Sequence, residues 1–386
     1  MSLENNQSGR ILITGDLFPM SHNAGFFEAA DISSLFGDKL SRMFASADYA
    51  ICNLEGALTD HNDRGVKTGQ HMTAPTGAVK TYQALGIDCC ALANNHITDG
   101  DHQGVLDTMK TLKDAEIAFV GAGANQDEIE RTHFFEVGGM KFCLYNVCER
   151  MYNKPTESKG GAWLYDEYLV CRELAEAKSN CDYLMVIYHG GMERFHYPSP
   201  ETRKRFYRMA DSGADLIVSQ HTHCVGCEEY YHGAYLLYGQ GNFLLQNVAP
   251  RFTETGLLLE LVVENGSVTI NKHWVRSEKN CFVRYCETQD FTEFDERSGR
   301  LQDERFMSEE VRRYCRGELR KYLTAFKNPG LPMRVVRKFF PKIYQKWLFA
   351  YSRRNLLFTL HTLRSEQNRE TAVIGLETLA ENLMEK

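Results

Sequence analysis

No apolar run in this 386-residue chain approaches the length of a membrane span, which excludes an integral helical membrane protein. The opening residues, MSLENNQSGR, are polar and contain no apolar core of a secretory leader, so the expected location is cytoplasmic. Excess positive charge is also lacking: 44 Lys and Arg stand against 51 Asp and Glu, a net charge of −7. A chain of that balance has no global attraction to nucleic acid, and no nucleic-acid partner is expected. There is no internal repeat and no low-complexity tract. The 12 cysteines are scattered rather than arranged as a disulfide framework, which fits a reducing compartment. Cys52, Cys89, Cys90, Cys143 and Cys148 sit in or beside apolar runs and are expected to be small buried hydrophobes. Cys224 and Cys227 form the only C-x-x-C; with no second pair to complete a four-sulfur zinc site, a structural role is expected.

With 43% hydrophobic and 25% charged residues, the chain has the composition of a soluble globular protein with one large domain and a smaller one. From Ile11 to about Val275, short apolar runs alternate with amphipathic stretches. The runs are Ile11–Thr14, Tyr49–Asn53, Cys89–Ala93, Ala118–Val120, Tyr183–Tyr188, Leu216–Ser219 and Tyr235–Tyr238, and they suit buried strands. Helical patterns lie between them at Thr76–Leu85, Gly104–Ala115, Asp166–Lys178 and Glu201–Ser212. Such alternation predicts an α/β layered fold. Gly138-Gly139 and Asn265-Gly266 each separate two strand-like runs and predict hairpins, so the sheets should be mixed. The expected organisation is a domain over 9–276, a linker over 277–304 and a helical extension over 305–386.

The polar residues that follow the apolar runs carry the chemistry. Asp16 follows Ile11–Thr14, Glu55 follows Tyr49–Asn53, and Asn94-Asn95-His96 follows Cys89–Ala93. His189 follows Tyr183–Tyr188, and His221-Thr222-His223 follows Leu216–Ser219. Sites in open α/β sheets form beyond the carboxyl ends of the strands, so donors delivered there can converge. Asp16, Glu55, Asn95, His189, His221 and His223 are therefore the candidate metal ligands. Two carboxylates, an amide oxygen and three imidazoles suit one or two divalent ions of Mn, Zn, Fe or Ni, and exceed the needs of a tetrahedral structural zinc.

At these positions the chain resembles the CapA family of capsule and poly-γ-glutamate synthesis proteins, within the calcineurin-like metallophosphoesterase superfamily. The ordered matches run from Gly15-Asp16 through Asn53-Leu54-Glu55-Gly56 and Ala93-Asn94-Asn95-His96 with Asp99. They continue with His189-Gly190-Gly191-Met192-Glu193 and His221-Thr222-His223, and close at Gly239-Gln240-Gly241-Asn242-Phe243. The resemblance implies a four-layer α/β/β/α sandwich with the metal site at one sheet edge. It assigns Asp16, Glu55 and His223 to one ion, and Glu55, Asn95, His189 and His221 to the other. It also implies catalytic roles for His96, as general acid or orienter of an oxyanion, and for Glu193, on the substrate side or behind a histidine. The pattern departs at Phe18, where related phosphoesterases place a histidine, which would leave one ion weakly held or absent. The expected function is a metal-dependent hydrolase acting on a phosphoester, amide or polymer linkage in capsule, polysaccharide or poly-γ-glutamate biosynthesis, with a small-molecule or polymer substrate. The alternative is a non-catalytic, metal-binding assembly factor of a capsule-synthesis complex.

Residues 334–354 contain seven Lys and Arg and no acid. Val335, Phe339, Ile343, Trp347 and Tyr351 recur at four-residue spacing, with Pro341 starting a new helix. The expectation is that this stripe packs on the main domain or another subunit; the alternative is peripheral membrane contact.

Overall fold

The computed structural model describes residues 8–65, 67, 69–151, 153–245, 253–278, 282–327, 331–350 and 359. The chain divides into two compact units, Met1–Met307 and Ser308–Lys386.

The first unit is built on two mixed sheets. In one, the spatial order is Val283–Tyr285, Ser267–Ser277, Thr255–Glu264, Ser8–Leu17, Tyr49–Leu54, Cys89–Ala91 and Ala118–Val120. Asn242–Leu244 joins it in parallel beside the end of Ser8–Leu17. In the other, the order is Glu228–Tyr231, Ala234–Leu237, Leu216–Gln220, Tyr183–His189, Met140–Cys148 and Thr132–Val137. In the second sheet parallel strands form the middle and antiparallel hairpins both flanks; in the first, parallel strands run out to the Ala118–Val120 edge and antiparallel strands form the opposite flank. One hairpin turns at Asn265 (φ 51°) and Gly266 (φ 79°), the pair of positive φ angles that a two-residue type I′ turn requires.

Side-chain alternation along the strands sorts the core into layers. Ile11, Ile13 and Ile51 point between the sheets and meet Phe142, Leu144, Ile187 and Val218. Leu12 and Cys52 point the other way, under Phe27, Leu35, Phe44, Tyr82 and Leu112 of the flanking helices. Cys143, Tyr145, Val186 and Ile217 cover the outer face of the second sheet and pack against Val170, Leu174, Phe206 and Met209. The result is the expected α/β/β/α sandwich. Each fully buried Leu, Ile or Phe contributes roughly 1.5–3 kcal/mol. Local signals fix the helices of the second face. Asp166 caps Glu167–Lys178 by accepting from the Tyr168 and Leu169 amides, and Ser199 caps Pro200–Asp211 with proline in the first turn.

Three expectations change. Residues 277–304 are not a bare linker: Val283–Tyr285 extends the first sheet, and the helix Thr292–Gly299 buries Phe294. Charge on the exposed positions hides these few apolar anchors in the sequence. An additional helix, Ile32–Ala45, interrupted by non-helical Gly37 (φ 69°), covers the first sheet with Leu35, Phe36, Leu40 and Phe44. In the second unit, the stripe is not the face that the helices bury on each other. The helices Leu331–Phe339 and Pro341–Phe349 are separated at Phe340, which resets the phase. Tyr344 and Leu348 are buried against Met333, Val336 and Trp347, while Val335, Phe339 and Ile343 stay exposed. Tyr351, Arg353 and Arg354, and the expected helical extension beyond Ala350 apart from Thr359, lie outside the described residues. Among the described residues no helix is long and apolar enough to cross a membrane.

Candidate metal centre

The carboxyl ends of the parallel strands in both sheets point to one place. Asp16 lies near the end of Ser8–Leu17, beside a break in register with Tyr49–Leu54. Glu55 directly follows its strand, Asn94-Asn95 come just beyond Cys89–Ala91 after Leu92 and Ala93, and His189 is the last residue of its strand. His221 and His223 follow Leu216–Gln220 with φ of 87° and 55°. Positive φ is costly for residues with a Cβ and persists where surrounding structure enforces it, a pattern that concentrates at functional sites. Gly15 lets the neighbouring segment close in: a Cβ there would lie 2.0 Å from the Gly241 carbonyl oxygen.

The six expected ligands converge. The nearest oxygen and nitrogen atoms of Asp16, Glu55 and His189 lie within 4.8 Å of one another, as do those of Glu55, His221 and His223. Glu55 belongs to both groups, as a bridging carboxylate would; Asp16 groups with His189, and His223 with His221. Asn95 Oδ1 is 2.7 Å from His189 Nε2, which is 3.4 Å from Glu55 Oε1. The rings of His189 and His221 have centroids 5.0 Å apart. Asn53 donates to Asp16 Oδ1 at 2.7 Å and lies 3.2 Å from His189 Nδ1. His223 Nδ1 is 2.9 Å from Asn242 Oδ1 and 3.3 Å from Asp16 Oδ2.

The chemistry of these donors suits a cation. Among the described residues neither carboxylate oxygen of Glu55 has a hydrogen-bond donor, and His221 Nδ1 is likewise buried and unpaired. Leaving such groups dry is costly unless something binds them. Burial, then the Asp16 charge, pushes the Glu55 carboxyl up to about 8. Burial drives His189 down to about 3 and His221 well below the usual histidine range, so both imidazoles are neutral and offer lone pairs. His223 runs the other way: burial opposes its charge, but Glu55 and Asp16 outweigh it and raise it to about 10. Burial similarly works to raise Asp16, and the His223 hydrogen bond with the histidine charges holds it below the usual range. Two buried carboxylates sharing one proton-hungry space, with imidazole and amide donors around them, fit a divalent ion.

His96 stands beside the ligands. Its Nδ1 is 2.6 Å from Asp99 Oδ2 and 3.0 Å from Lys67 Nζ, and Lys67 pairs with Asp99 Oδ1 at 2.5 Å. Its charge reaches Glu55 and His189. Glu193 stands outside both ligand groups, partly exposed and 3.3 Å from Arg194, although its charge reaches Glu55 and His221. Phe18 is buried with its ring against Gly56, where an added Cβ would approach to 2.4 Å, so the wall at that point is apolar.

Sequence reading missed Glu149. It follows the strand Met140–Cys148, places Oε1 3.8 Å from His221 Nε2, and accepts from the Gly191 amide at 3.3 Å. The strand-end rule that found the other donors applies to it equally. Asn53, Asn242 and Lys67 were also missed; their roles depend on which strands become neighbours. Cys224 and Cys227 are buried free thiols.

Residues 10–247 match the family described as "Bacterial capsule synthesis protein PGA_cap". The chain is 25% identical over 241 residues to the capsule biosynthesis protein CapA of Bacillus anthracis, covering 60% of this chain and 59% of that protein. It is 26% identical over 229 residues to the PGA biosynthesis protein CapA of Bacillus subtilis, covering 58% and 60%. The chain thus spans about three-fifths of the length of these relatives. A solved structure titled a novel phosphatase of Mycoplasma pneumoniae superposes with a TM-score of 0.46 at 12% identity, over 75% of this chain and 99% of that one. That is too loose a likeness of chain path to transfer chemistry.

Proposed function

We propose, from the premise that this chain belongs to the bacterial capsule synthesis protein family PGA_cap, that it is a metal-dependent hydrolase working on a phosphoester, amide or polymer linkage in surface-polymer biosynthesis. The observation that carries the reading is Glu55: a buried carboxylate with no donor among the described residues, beside a second carboxylate and three imidazoles. Asp16, Glu55, Asn95, His189, His221 and His223 would hold the metal. A bound divalent ion supplies Lewis acidity and lowers the pKa of water. The chain's own contribution is orientation and proton transfer. Because His96 engages Asp99 through Nδ1, Nε2 is the atom left to deliver a proton to the leaving group or to steady an oxyanion. Lys67 holds the far oxygen of Asp99 and so fixes the orientation of the pair. Glu149 and Glu193 supply carboxylates on the His221 side, where they would orient substrate or ligand. On this reading we expect the reaction in the cytoplasm or at the membrane's inner face, in association with a capsule-synthesis complex.

A second reading, a metal-binding assembly factor without turnover, is favoured by Phe18, because an apolar wall beside Glu55 leaves fewer donors for a second ion. The test is metal content per chain, followed by assays of phosphomonoester, phosphodiester and γ-glutamyl amide substrates with manganese. The hydrolase reading expects activity lost in both His96→Ala and His223→Ala, with metal affinity lowered only in the second. Stoichiometric metal without turnover on any of these substrates transfers the site to the assembly reading.

A further inference from the structure

The two helices Leu331–Phe339 and Pro341–Phe349 have already used one apolar face on each other. Tyr344 and Leu348 are buried there against Met333, Val336 and Trp347. A second set of large apolar side chains remains outside: Val335, Phe339, Phe340, Ile343 and Phe349 are 49–63% exposed. Among the described residues no other stretch of similar length exposes so many. Exposed cations alternate with them: Arg334, Arg337, Lys338, Lys342 and Lys346. No Asp or Glu occurs from Asn328 to Arg364, in a chain that carries 51 of them and a net charge of −7. The positive charge is thus concentrated where the apolar surface is.

From this coincidence we infer that the helix pair 331–349 is a docking surface for an anionic lipid bilayer. The apolar residues would enter the boundary between headgroups and acyl chains while the Lys and Arg side chains contact anionic headgroups. Either property alone would point elsewhere. A soluble polyanion such as nucleic acid or an acidic polymer would be held by the cations and would gain nothing from exposed Phe and Ile. An ordinary protein partner would bury the aromatic residues, but dense Lys is depleted from such interfaces. Phe339, Phe340 and Ile343 flanked by Lys338 and Lys342 match a surface that is apolar inside and negatively charged at its rim. The inference is independent of the metal centre, so failure of either leaves the other intact.

The experiment is flotation of the full-length protein with vesicles of phosphatidylcholine alone and of phosphatidylcholine with phosphatidylglycerol. Binding is expected to the anionic vesicles, with each engaged cation strengthening it about fivefold. Phe339→Glu/Ile343→Glu should weaken the partition on the order of a hundredfold. Lys338→Gln/Lys342→Gln should weaken it roughly twentyfold, and added salt should weaken the wild type. All substituted positions are exposed, so melting temperature and metal binding should match the wild type and exclude misfolding as the cause. Equal partition of wild type and both variants would overturn the inference, as would no flotation on anionic vesicles. Salt-sensitive binding to heparin or polyglutamate, without vesicle binding, would assign the face to a soluble polyanion and also overturn it. So would concentration-dependent dimerisation abolished by Phe339→Glu in light scattering, again without vesicle binding.

Discussion

Metal affinity should climb steeply with pH, and the metal-free protein should weaken over the same range. Glu55 titrates at about 8 in the fold against an ordinary 4.5, because burial and the adjacent Asp16 penalise its charge. A carboxyl raised in this way costs no stability while both states are protonated. As pH rises from about 4.5 to 8 the unfolded chain loses the proton that the folded chain keeps, so stability falls. At about 1.4 kcal/mol per pH unit, the full loss approaches about 5 kcal/mol. His223 acts in the same direction: its folded value of about 10 exceeds the ordinary 6.5, so its stabilisation is present below 6.5 and is lost as pH rises toward 10. A divalent ion replaces both protons. Binding should release one to two protons per ion and tighten about tenfold or more for each unit between about pH 6 and pH 8, at least a hundredfold in all. Manganese affinity by competition with a chromophoric chelator, and proton release in weak buffer, measure these quantities. With metal at about 100 times Kd, stabilisation reaches about 2.7 kcal/mol and grows toward alkaline pH at fixed metal concentration. The same affinity at both ends of the range, with no proton released, would refute the reasoning that Glu55 and His223 are the proton-bearing ligands.

Other substitutions probe separate parts of the site. Glu149→Gln should lower metal affinity roughly tenfold by freeing His221, read by chelator competition rather than by turnover; unchanged affinity would remove Glu149 from the support of that ligand. Phe18→His should destabilise the metal-free protein by about 2–4 kcal/mol, through an imidazole buried against Gly56, and should raise bound metal per chain. Unchanged metal content by elemental analysis would show that Phe18 does not limit occupancy. Gly15→Ala forces a Cβ toward the Gly241 carbonyl oxygen and should cost on the order of 2–4 kcal/mol in chemical denaturation. A loss below about 0.5 kcal/mol would mean that the strand ends part freely.

The ligand set was legible because each donor lies at or shortly beyond the carboxyl end of an apolar strand. Tyr183–His189 and Leu216–Gln220 read as continuous buried runs, and their flanking histidines stood out against them. Hairpins were equally plain, since Asn265-Gly266 has few other uses. Ile32–Ala45 was harder to read: Gly37 breaks its period, and Ser33 and Ser34 dilute the apolar face. Asn242–Leu244 is three residues long and exists because it lies against the end of Ser8–Leu17, a contact that spans most of the first unit. Lys67 and Asp99 are far apart in sequence, and their pairing behind His96 depends on the loop after Ala57–Leu58 returning to the site. Non-local contacts of this kind leave no periodicity to read. The stripe in the second unit was harder to place because Phe340 leaves helical geometry, so four-residue spacing across it does not by itself say which side chains the helices bury on each other.

The most direct test of the central claim is a crystal of the manganese-loaded protein measured for anomalous scattering. A peak is expected about 2.0–2.3 Å from Glu55 and from oxygen or nitrogen atoms of its neighbours among Asp16, Asn95, His189, His221 and His223. Full occupancy at a different place, or a metal-soaked crystal in which Glu55 remains without a cation, would contradict the account.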